Sequence, residues 1–240
     1  MKKVFFAVPS YRGIECVHFY KSLEETINLC KNSGWETDLI VLQNCCYIQL
    51  VRNELVKQFL DTDCDSLFFL DDDIAWDCKD ALKLLEMSDP IVAGVYRKKT
   101  EEENYPVVIH TDKDGIPLGR EDGCIWAAGI PLGFARIKRH VFEMMIKANP
   151  NLKYRKDNTE EIYYDLFPQG ISEGRWWGED LVFCRLWNDL GGYIWVVPDI
   201  TLKHISKKEV FTGNYHKYLL KLKENEWQQH KQSSMQPVGA

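Results

Sequence analysis

Three consecutive carboxylates follow an apolar run in the first third of the chain. The run is Ser66–Leu70, and Asp71, Asp72 and Asp73 come directly after it. An aromatic-rich run predicts a strand covered on both faces, and ligands of open α/β sheets bind beyond the carboxyl ends of such strands. Adjacent acids repel one another unless a cation lies between them, and Mg²⁺ or Mn²⁺ is commonly held by carboxylates plus phosphate oxygens. The run indicates either a metal–phosphate site or acids that cap a helix beginning near Asp77.

Two later features could contribute to the same site. Glu179 and Asp180 stand at the start of a predicted helix, and His204 follows a short predicted strand. An acid at a helix start is often a cap, and a lone histidine is more often structural than a ligand. Their order along the chain, together with the acid run, favours a shared site.

The elements that must position these residues alternate between strand and helix patterns, which is typical of a mostly parallel sheet with helices on its faces. The sequence predicts strands at 4–8, 38–42, 67–70, 91–95, 134–137, 193–197 and 201–204, and helices at 15–32, 48–60, 77–87, 140–148, 180–190 and 215–229. Residues 97–124 and 149–175 lack a clear pattern, and the first of these stretches is expected to contain a hairpin. The fold class predicted is α/β, a single Rossmann-like domain with a C-terminal helical extension.

Size and composition agree with one domain. The chain has 240 residues, 45% of them hydrophobic, and a net charge of −6, which gives no general reason to expect nucleic-acid binding. Eight scattered cysteines without a Cys-x-x-Cys pair favour a reducing, cytoplasmic setting. The apolar run at the N-terminus stops at Pro9 and no later segment reaches membrane-spanning length, so we expect no transmembrane segment.

Taken in order, these segments resemble the GT-A glycosyltransferases, particularly the family-2-like members, over most of residues 3–206. Leu70-Asp71-Asp72-Asp73 matches the DXD motif of that family, and Gly178 to Cys184 matches its Gly-Glu-Asp segment. Leu202-Lys203-His204 resembles the late metal-ligand histidine. The remaining correspondences are a base-binding loop at Pro9, Ser10, Tyr11 and Arg12, an Arg-Asn pair at Arg52 and Asn53, and a Gly-x-x-x-Gly segment lining the sugar site from Gly129 through Gly133 to Phe142.

The resemblance implies a metal-dependent transferase of the hexosyltransferase type (EC 2.4). The enzyme would move a sugar from a nucleotide-diphosphate sugar, with a UDP-sugar as the expected donor, to a hydroxyl of a glycan, lipid-linked or protein acceptor, with inversion. Residues 1–206 would form the catalytic domain, with the nucleotide half at about 1–97 and the acceptor half at about 98–206. Residues 207–240 would form the helical extension.

The resemblance also implies a role for each candidate residue. Asp180 is the expected base and Glu179 the second choice, because neighbours on a helix point about 100° apart. Asp73 is the first choice as metal ligand, and Asp71 would hold the ribose or share the metal. His204 would supply a nitrogen ligand that suits Mn²⁺ better than Mg²⁺.

Two assignments depend on side-chain direction. Asp72 is expected to point away from the site, because side chains alternate along a strand. Trp176 and Trp177 precede the Gly-Glu-Asp segment and would either stack on a sugar ring or cover a core edge.

Other readings remain open at this point. A sugar-phosphate nucleotidyltransferase would carry a Gly-rich, basic loop after the first strand, where this chain has Pro9-Ser10-Tyr11-Arg12-Gly13. A haloacid-dehalogenase-type phosphatase fits poorly, because its nucleophilic Asp lies on the first strand. A non-catalytic nucleotide-sugar-binding module would have no need of Asp180. The oligomeric state, the donor base and sugar, and the acceptor are left undetermined by the sequence.

Overall fold

The centre of the fold is a mixed β-sheet in the computed structural model, which describes residues 2–156, 159–207 and 209–234, with 225–234 described as helical backbone. The strands of these residues, in chain order, are β1 (Lys2–Pro9), β2 (Trp35–Leu42), β3 (Ser66–Leu70), β4 (Ile74–Ala75), β5 (Ile91–Ala93), β6 (Val108–Ile109), β7 (Ile125–Gly129), β8 (Phe134–Lys138), β9 (Lys153–Arg155), β10 (Ile162–Tyr164), β11 (Gly170–Ser172), β12 (Arg175–Trp177), β13 (Ile194–Val196), β14 (Thr201–Ile205) and β15 (Val210–Asn214).

Eight of these described strands form the main sheet, in the order β2-β1-β3-β8-β5-β13-β7-β6. β1 pairs in parallel with β2 and β3, and β13 pairs in parallel with β5. β8 lies antiparallel between β3 and β5, and β7 lies antiparallel to β13 and β6. The sheet is therefore α/β in character but mixed in pairing, since the β7 and β8 segments enter it against the common direction.

Helices cover both faces of the sheet. They are α1 (Val17–Asn32), α2 (Ile48–Leu60), α3 (Cys78–Glu86), α4 (Arg139–Ala148), α5 (Glu179–Asn188) and α6 (Tyr215–Ser234), with a short 3₁₀ turn at Pro150–Leu152. Alternate residues of β1 divide between two cores: Phe5 packs in one with Phe59 of α2, and Phe6 in the other with Phe19 of α1. All five residues of β3 are buried, as predicted for a strand covered on both faces.

The sequence located most elements but missed some strands. α2 has the predicted bounds, and α1 begins two residues later than predicted, at Val17. β7 is absent from the predicted strands, since Ala-Ala-Gly has low strand propensity; its pairing with β13 makes it a strand. Residues 207–240 were predicted as helical, yet β15 lies there and pairs with β14, which also pairs with β4.

The irregular stretches contain small structures of their own. The two-stranded pairs β9–β10 and β11–β12 lie between residues 149 and 177. α6 packs through Tyr215 and Tyr218 against Tyr105, with ring centroids 5.0 and 5.1 Å apart. All eight cysteines are free thiols. Among the described residues, no helix is both long and apolar enough to cross a membrane.

Candidate active site

The acid run forms a tight turn at the carboxyl end of β3. The amide of Ile74 donates to the carbonyl of Asp71 at 3.0 Å, and β4 follows at once. The helix cap belongs to Asp77, whose side chain accepts a hydrogen bond from the Lys79 amide at 2.9 Å. The acids at 71–73 are therefore not needed to begin α3, and their carboxylates meet partners from other parts of the chain.

Asp73 and His204 lie together because β14 pairs with β4. His204 is opposite Ile74 in the antiparallel register, and the amide of Ile205 donates to the carbonyl of Asp73 at 2.7 Å. The His204 Nε2 atom lies 3.5 Å from Asp73 Oδ2. His204 Nδ1 is 2.8 Å from the carbonyl oxygen of Arg97; because a carbonyl accepts, Nδ1 carries a proton and the ring orientation is fixed.

Lys99 contacts the same carboxylate oxygen. Its Nζ atom lies 2.5 Å from Asp73 Oδ2. Burial would raise the pKa of Asp73, but the contacts with His204 and Lys99 outweigh it and hold that pKa below its ordinary value. Asp73 is therefore a carboxylate with a strong preference for cationic partners.

Arg52 stands at the centre of a second group of charges, which we call the Arg52 cluster: Arg52, Asp71, Tyr96, Glu179 and Asp180. The Arg52 guanidinium is 3% exposed; its Nη2 donates to Asp71 Oδ1 at 3.0 Å, and its Nε lies 3.7 Å from Glu179 Oε1. The Tyr96 hydroxyl donates to the other Asp71 oxygen at 3.3 Å. Tyr96 also packs edge-on against His204, with ring centroids 4.9 Å apart, so it joins the cluster to the Asp73–His204 pair.

The charges of the Arg52 cluster are only partly compensated. Burial would lower the pKa of Arg52, but Asp71 and Glu179 raise it overall. Burial, and next the neighbouring charge of Glu179, raise the pKa of Asp180 to about 6. Among the described residues, Nε and Nη1 of Arg52 are buried without a hydrogen-bond partner. Unsatisfied buried donors are costly, which is typical of a site that completes its bonding with a ligand.

Gly133 leaves the space that Asp71 occupies. A Cβ atom at this position would lie 2.6 Å from Asp71 Cγ and 2.7 Å from the Tyr96 hydroxyl. The carbonyl of Gly133 also accepts from the Asp71 amide at 2.9 Å. Gly129 has a different neighbour, since its Cβ would lie 2.6 Å from a methyl of Leu181, the residue after Asp180. Both glycines allow close approach of backbone to the elements that carry the acids.

Asp72 does not point away from the site, contrary to the prediction from alternation. The chain turns after Asp71, so strict strand alternation ends there, and Asp72 accepts a short hydrogen bond from the Ser10 hydroxyl. Burial raises the pKa of Asp72. Asp72 and Asp73 line one cavity of about 770 Å³ together with Tyr11 and Arg12 from the loop after β1. That volume is in the range of small-ligand sites.

Two of the predicted site residues, Pro9 and Asn53, have mainly structural contacts. Pro9 is the last residue of β1 and pairs with Leu42. Asn53 is 2% exposed, and its amide group bonds to Asp165 and to the Leu166 amide, which fastens that loop to α2.

Trp177 lies on the β11–β12 hairpin beside α5. Its indole N–H donates to the carbonyl of Ser172 at 3.1 Å, and the Arg185 guanidinium lies 5.6 Å from its ring centroid. Trp176 is 66% exposed. Trp177 lines a separate cavity of about 300 Å³ with Val182 and Leu186 of α5.

The donor atoms fit a divalent ion only as a partial set. No group of three or more His, Cys, Asp or Glu side chains in the described part of the chain could hold a metal ion. Asp73 and His204 provide one oxygen and one nitrogen 3.5 Å apart, which is shorter than the ~4.2 Å that two ligands at about 2.1 Å from one ion can span. Asp71 instead bonds Arg52 and Tyr96. A metal held here would take its other ligands from a substrate or water.

Sequence reasoning missed two residues of this site. Tyr96 lies three residues after the end of β5 at Ala93, and an aromatic hydroxyl near a strand end could have been noted as a candidate. Lys99 lies in the irregular stretch 97–124, where nothing in the pattern distinguishes it from the neighbouring Lys98. Only the path of the loop back towards His204 brings Lys99 to Asp73.

Comparisons with known proteins locate the fold. No protein-family model and no curated protein sequence matches the chain. The crystal structure of A197 from STIV superposes with a TM-score of 0.51 and 19% identity, over 89% of this chain and 95% of that one. The structure of GalNAc-T7 with UDP, GalNAc and Mn²⁺ superposes with a TM-score of 0.52 and 10% identity. That match covers 86% of this chain, which spans 44% of the length of GalNAc-T7.

A third structure, a glycosyltransferase involved in the glycosylation of the major capsid of PBCV-1, gives a TM-score of 0.36 at 13% identity, over 69% of this chain and 72% of that one. At these identities, the superpositions on A197 and GalNAc-T7 show the fold alone. The chain shares the mixed α/β fold of A197 and of the matched part of GalNAc-T7.

Proposed function

We propose that this chain is a glycosyltransferase that moves a sugar from a nucleotide-diphosphate sugar to an acceptor hydroxyl. The observation that carries the proposal is the convergence at the end of β3: the Arg52 cluster, with its desolvated carboxylate Asp180, is joined through Tyr96 to the Asp73–His204 pair. Such a site provides a metal-binding acid, an orienting cation and a base. The likeness of the fold to that of GalNAc-T7 supports the same activity.

The donor side of the proposed site is the cavity between the loop after β1 and the acid run. Tyr11 is 59% exposed at its edge and offers a face for a nucleotide base, while Arg12 offers a positive charge. Asp73 and His204 would hold Mn²⁺ in preference to Mg²⁺, because an imidazole nitrogen suits Mn²⁺ better. A bound ion of this kind supplies charge stabilisation for the departing diphosphate. We propose a UDP-sugar as the donor, as GalNAc-T7 was crystallised with UDP, GalNAc and Mn²⁺.

Asp180 is the proposed base for the acceptor hydroxyl. With its pKa raised to about 6, Asp180 is ionised at neutral pH yet is a stronger base than an ordinary aspartate. It would take the proton of the acceptor hydroxyl as that oxygen attacks the anomeric carbon from the face opposite the diphosphate, which gives inversion. Glu179 is committed to Arg52 and serves to position it. Arg52 in turn holds Asp71, whose second oxygen accepts from Tyr96.

The test is a comparison of wild type with Asp180→Asn, using a panel of nucleotide sugars with Mn²⁺. Asp180→Asn should lower the turnover by about 10²–10⁴-fold, the usual contribution of a general base. Donor binding, measured by calorimetry, should change little, because Asn keeps the shape of the side chain and the hydrogen bond from the Leu181 amide. Asp61→Asn makes the same chemical change at an exposed helix end and should leave turnover unchanged.

Full turnover by the Asp180→Asn protein would remove Asp180 from the role of base. Retention of configuration in the product, read from NMR of the new linkage, would exclude the inverting mechanism. Tight donor binding without release of nucleotide, even after long incubation without acceptor, would instead favour a non-catalytic nucleotide-sugar-binding module.

A further inference from the structure

Lys99 is placed against Asp73 by a loop that several other elements hold in shape. The Arg97 guanidinium donates to the carbonyls of Thr100 and Glu101, at 2.6 and 3.1 Å, which closes a tight turn around Lys99. The main-chain amide of Lys98 donates to the carbonyl of Asn104 at 2.7 Å. The Lys99 side chain leaves this turn towards the acid run, so its position is fixed by the loop and not by chance contact.

The same loop is tied to His204 and to the C-terminal elements. The carbonyl of Arg97 accepts from His204, and the Arg97 guanidinium lies 5.4 Å from the ring centroid of Phe211 on β15. Farther along, Glu103 pairs with Lys221 of α6 at 3.1 Å. Strand β15 and helix α6 therefore support the turn that presents Lys99.

We propose that Lys99 is an internal cation that holds the Asp73 carboxylate until a divalent ion displaces it, and then contacts the diphosphate of the donor. The inference rests on the proposed function and extends it. Lys99 Nζ and His204 Nε2 both lie against Asp73 Oδ2, at 2.5 and 3.5 Å. An ion bound between Asp73 and His204 would share that oxygen with Lys99, and two cations at one oxygen repel each other.

After displacement by the metal ion, the Lys99 ammonium group would remain close to Asp73. The side chain of Lys99 is 32% exposed, so it can move without unfolding the loop. Under the proposed function, Asp73 and His204 would hold the metal beside the donor diphosphate, and the Lys99 ammonium would be a strong partner for its phosphate oxygens. Metal binding would then make Lys99 available to the diphosphate, and the two ligands would strengthen each other's binding, as thermodynamic linkage requires.

The first measurement is binding of Mn²⁺ alone, read from the electron paramagnetic resonance signal of the free ion. Lys99→Met keeps most of the length of the side chain and removes the charge. It should bind Mn²⁺ more tightly than wild type by about fivefold, equivalent to about 1 kcal/mol, the upper value for a partly exposed ion pair. Lys98→Met is the matched control, because Lys98 is its exposed neighbour in the same loop; this variant should bind Mn²⁺ as wild type does.

The second measurement is binding of UDP at saturating Mn²⁺, by calorimetry. Lys99→Met should bind UDP about fivefold more weakly than wild type, because the phosphate contact is lost. The opposite signs of the two effects are the signature of the proposal. A general loss of positive charge from the loop would give the same two signs, but it would change the Mn²⁺ and UDP affinities of Lys98→Met as much as those of Lys99→Met.

An unchanged Mn²⁺ affinity in Lys99→Met, with normal UDP binding in wild type, would overturn the role of Lys99 and leave the proposed function intact. A tighter Mn²⁺ site without any loss of UDP affinity would overturn the diphosphate contact. Wild-type protein that binds neither Mn²⁺ nor UDP would overturn both the proposed function and this inference.

Discussion

Arg52 and Arg136 are both buried arginines, and they lie at opposite ends of the sheet. Arg52 is 3% exposed and faces the carboxylates of Asp71 and Glu179 at the carboxyl end of β3. Arg136 is 1% exposed, and its guanidinium reaches towards the amino end of β5, where it donates to main-chain carbonyls of Leu84, Met87, Asp89 and Pro90. One arginine is held by side-chain charges and the other by the end of helix α3.

The difference shows in their protonation and their bonding. Burial lowers the pKa of Arg136 to about 10, and the charge of Asp89 offsets this only in part; no carboxylate of the described residues contacts the guanidinium. Nearby carboxylates instead raise the pKa of Arg52 against the effect of burial. Every guanidinium nitrogen of Arg136 donates to a carbonyl, while two nitrogens of Arg52 have no hydrogen-bond partner among the described residues. Arg139 repeats the arrangement of Arg136 at the end of α2, with bonds to the carbonyls of Phe59 and Cys64.

The comparison teaches how to separate a structural from a functional buried charge. Carbonyls at a helix end lack donors within the helix, and Arg136 and Arg139 supply these donors without any ligand. The Arg52 cluster retains unsatisfied donors and a carboxylate with a raised pKa, which costs stability and is typical of a functional site. Changes at the two ends should therefore have opposite consequences.

The largest effect is expected from Arg136→Met, which should lower the free energy of unfolding by about 3–5 kcal/mol, because several buried carbonyls lose their donors at once. Urea unfolding measures this loss. Nucleotide binding by the folded protein at low temperature should be retained, since Arg136 lies far from the acid run.

Arg52→Met is the control for that prediction. It should cost less stability, since Asp71 and Glu179 are partly exposed to solvent, but it should abolish donor binding. Unchanged stability of Arg136→Met, or full activity of Arg52→Met, would contradict the distinction between a structural and a functional buried arginine.

A smaller effect concerns the pH dependence of stability. The pKa of Asp180 is 3.8 ordinarily and about 6 in the fold. Between these values the folded state holds the proton more tightly than the unfolded chain, so the stability contributed by this group falls as the pH rises through that window. Asp180→Asn lacks this group. It should be more stable than wild type above pH 6, by up to about 3 kcal/mol, and the difference should shrink towards zero below about pH 4.

Urea unfolding at a series of pH values checks this sign. Lower stability of Asp180→Asn at pH 8 would mean that the carboxylate stabilises the fold, and it would remove the distinction between the two ends of the sheet.

The smallest effect is expected from Gly133→Ala. The added methyl would meet Asp71 and Tyr96, and overpacking of this kind should cost roughly 1–2 kcal/mol of stability. Because Asp71 must move, UDP binding should weaken as well. Gly94→Ala is the control, since its methyl would meet Ile200 at 2.9 Å and Phe134 at 3.0 Å in an apolar core. It should lose similar stability and keep UDP binding; equal loss of binding in both would show that Gly133 has no special relation to the site.

Much of the fold and part of the site were open to prediction from sequence. Hydrophobic periodicity located α2 and the buried β3, because both depend on local pattern. The pairing of β7 and β8 against the common strand direction was not predictable in the same way, since it depends on contacts between distant segments. The turn after Asp71 likewise directs the Asp72 side chain towards the cavity, whereas strand alternation alone predicts that it points away.

The order of residues along the chain is enough to locate the acids after β3, the acid pair at the start of α5 and the histidine on β14. These are local facts of order and spacing. Tertiary structure decided their partners, because Arg52, Tyr96 and Lys99 come from three other segments and reach the acids only when the sheet is assembled. It also decided that Arg52 meets carboxylates while Arg136 meets carbonyls. A buried arginine has the same sequence signature in both cases, and only its surroundings in the folded chain distinguish them.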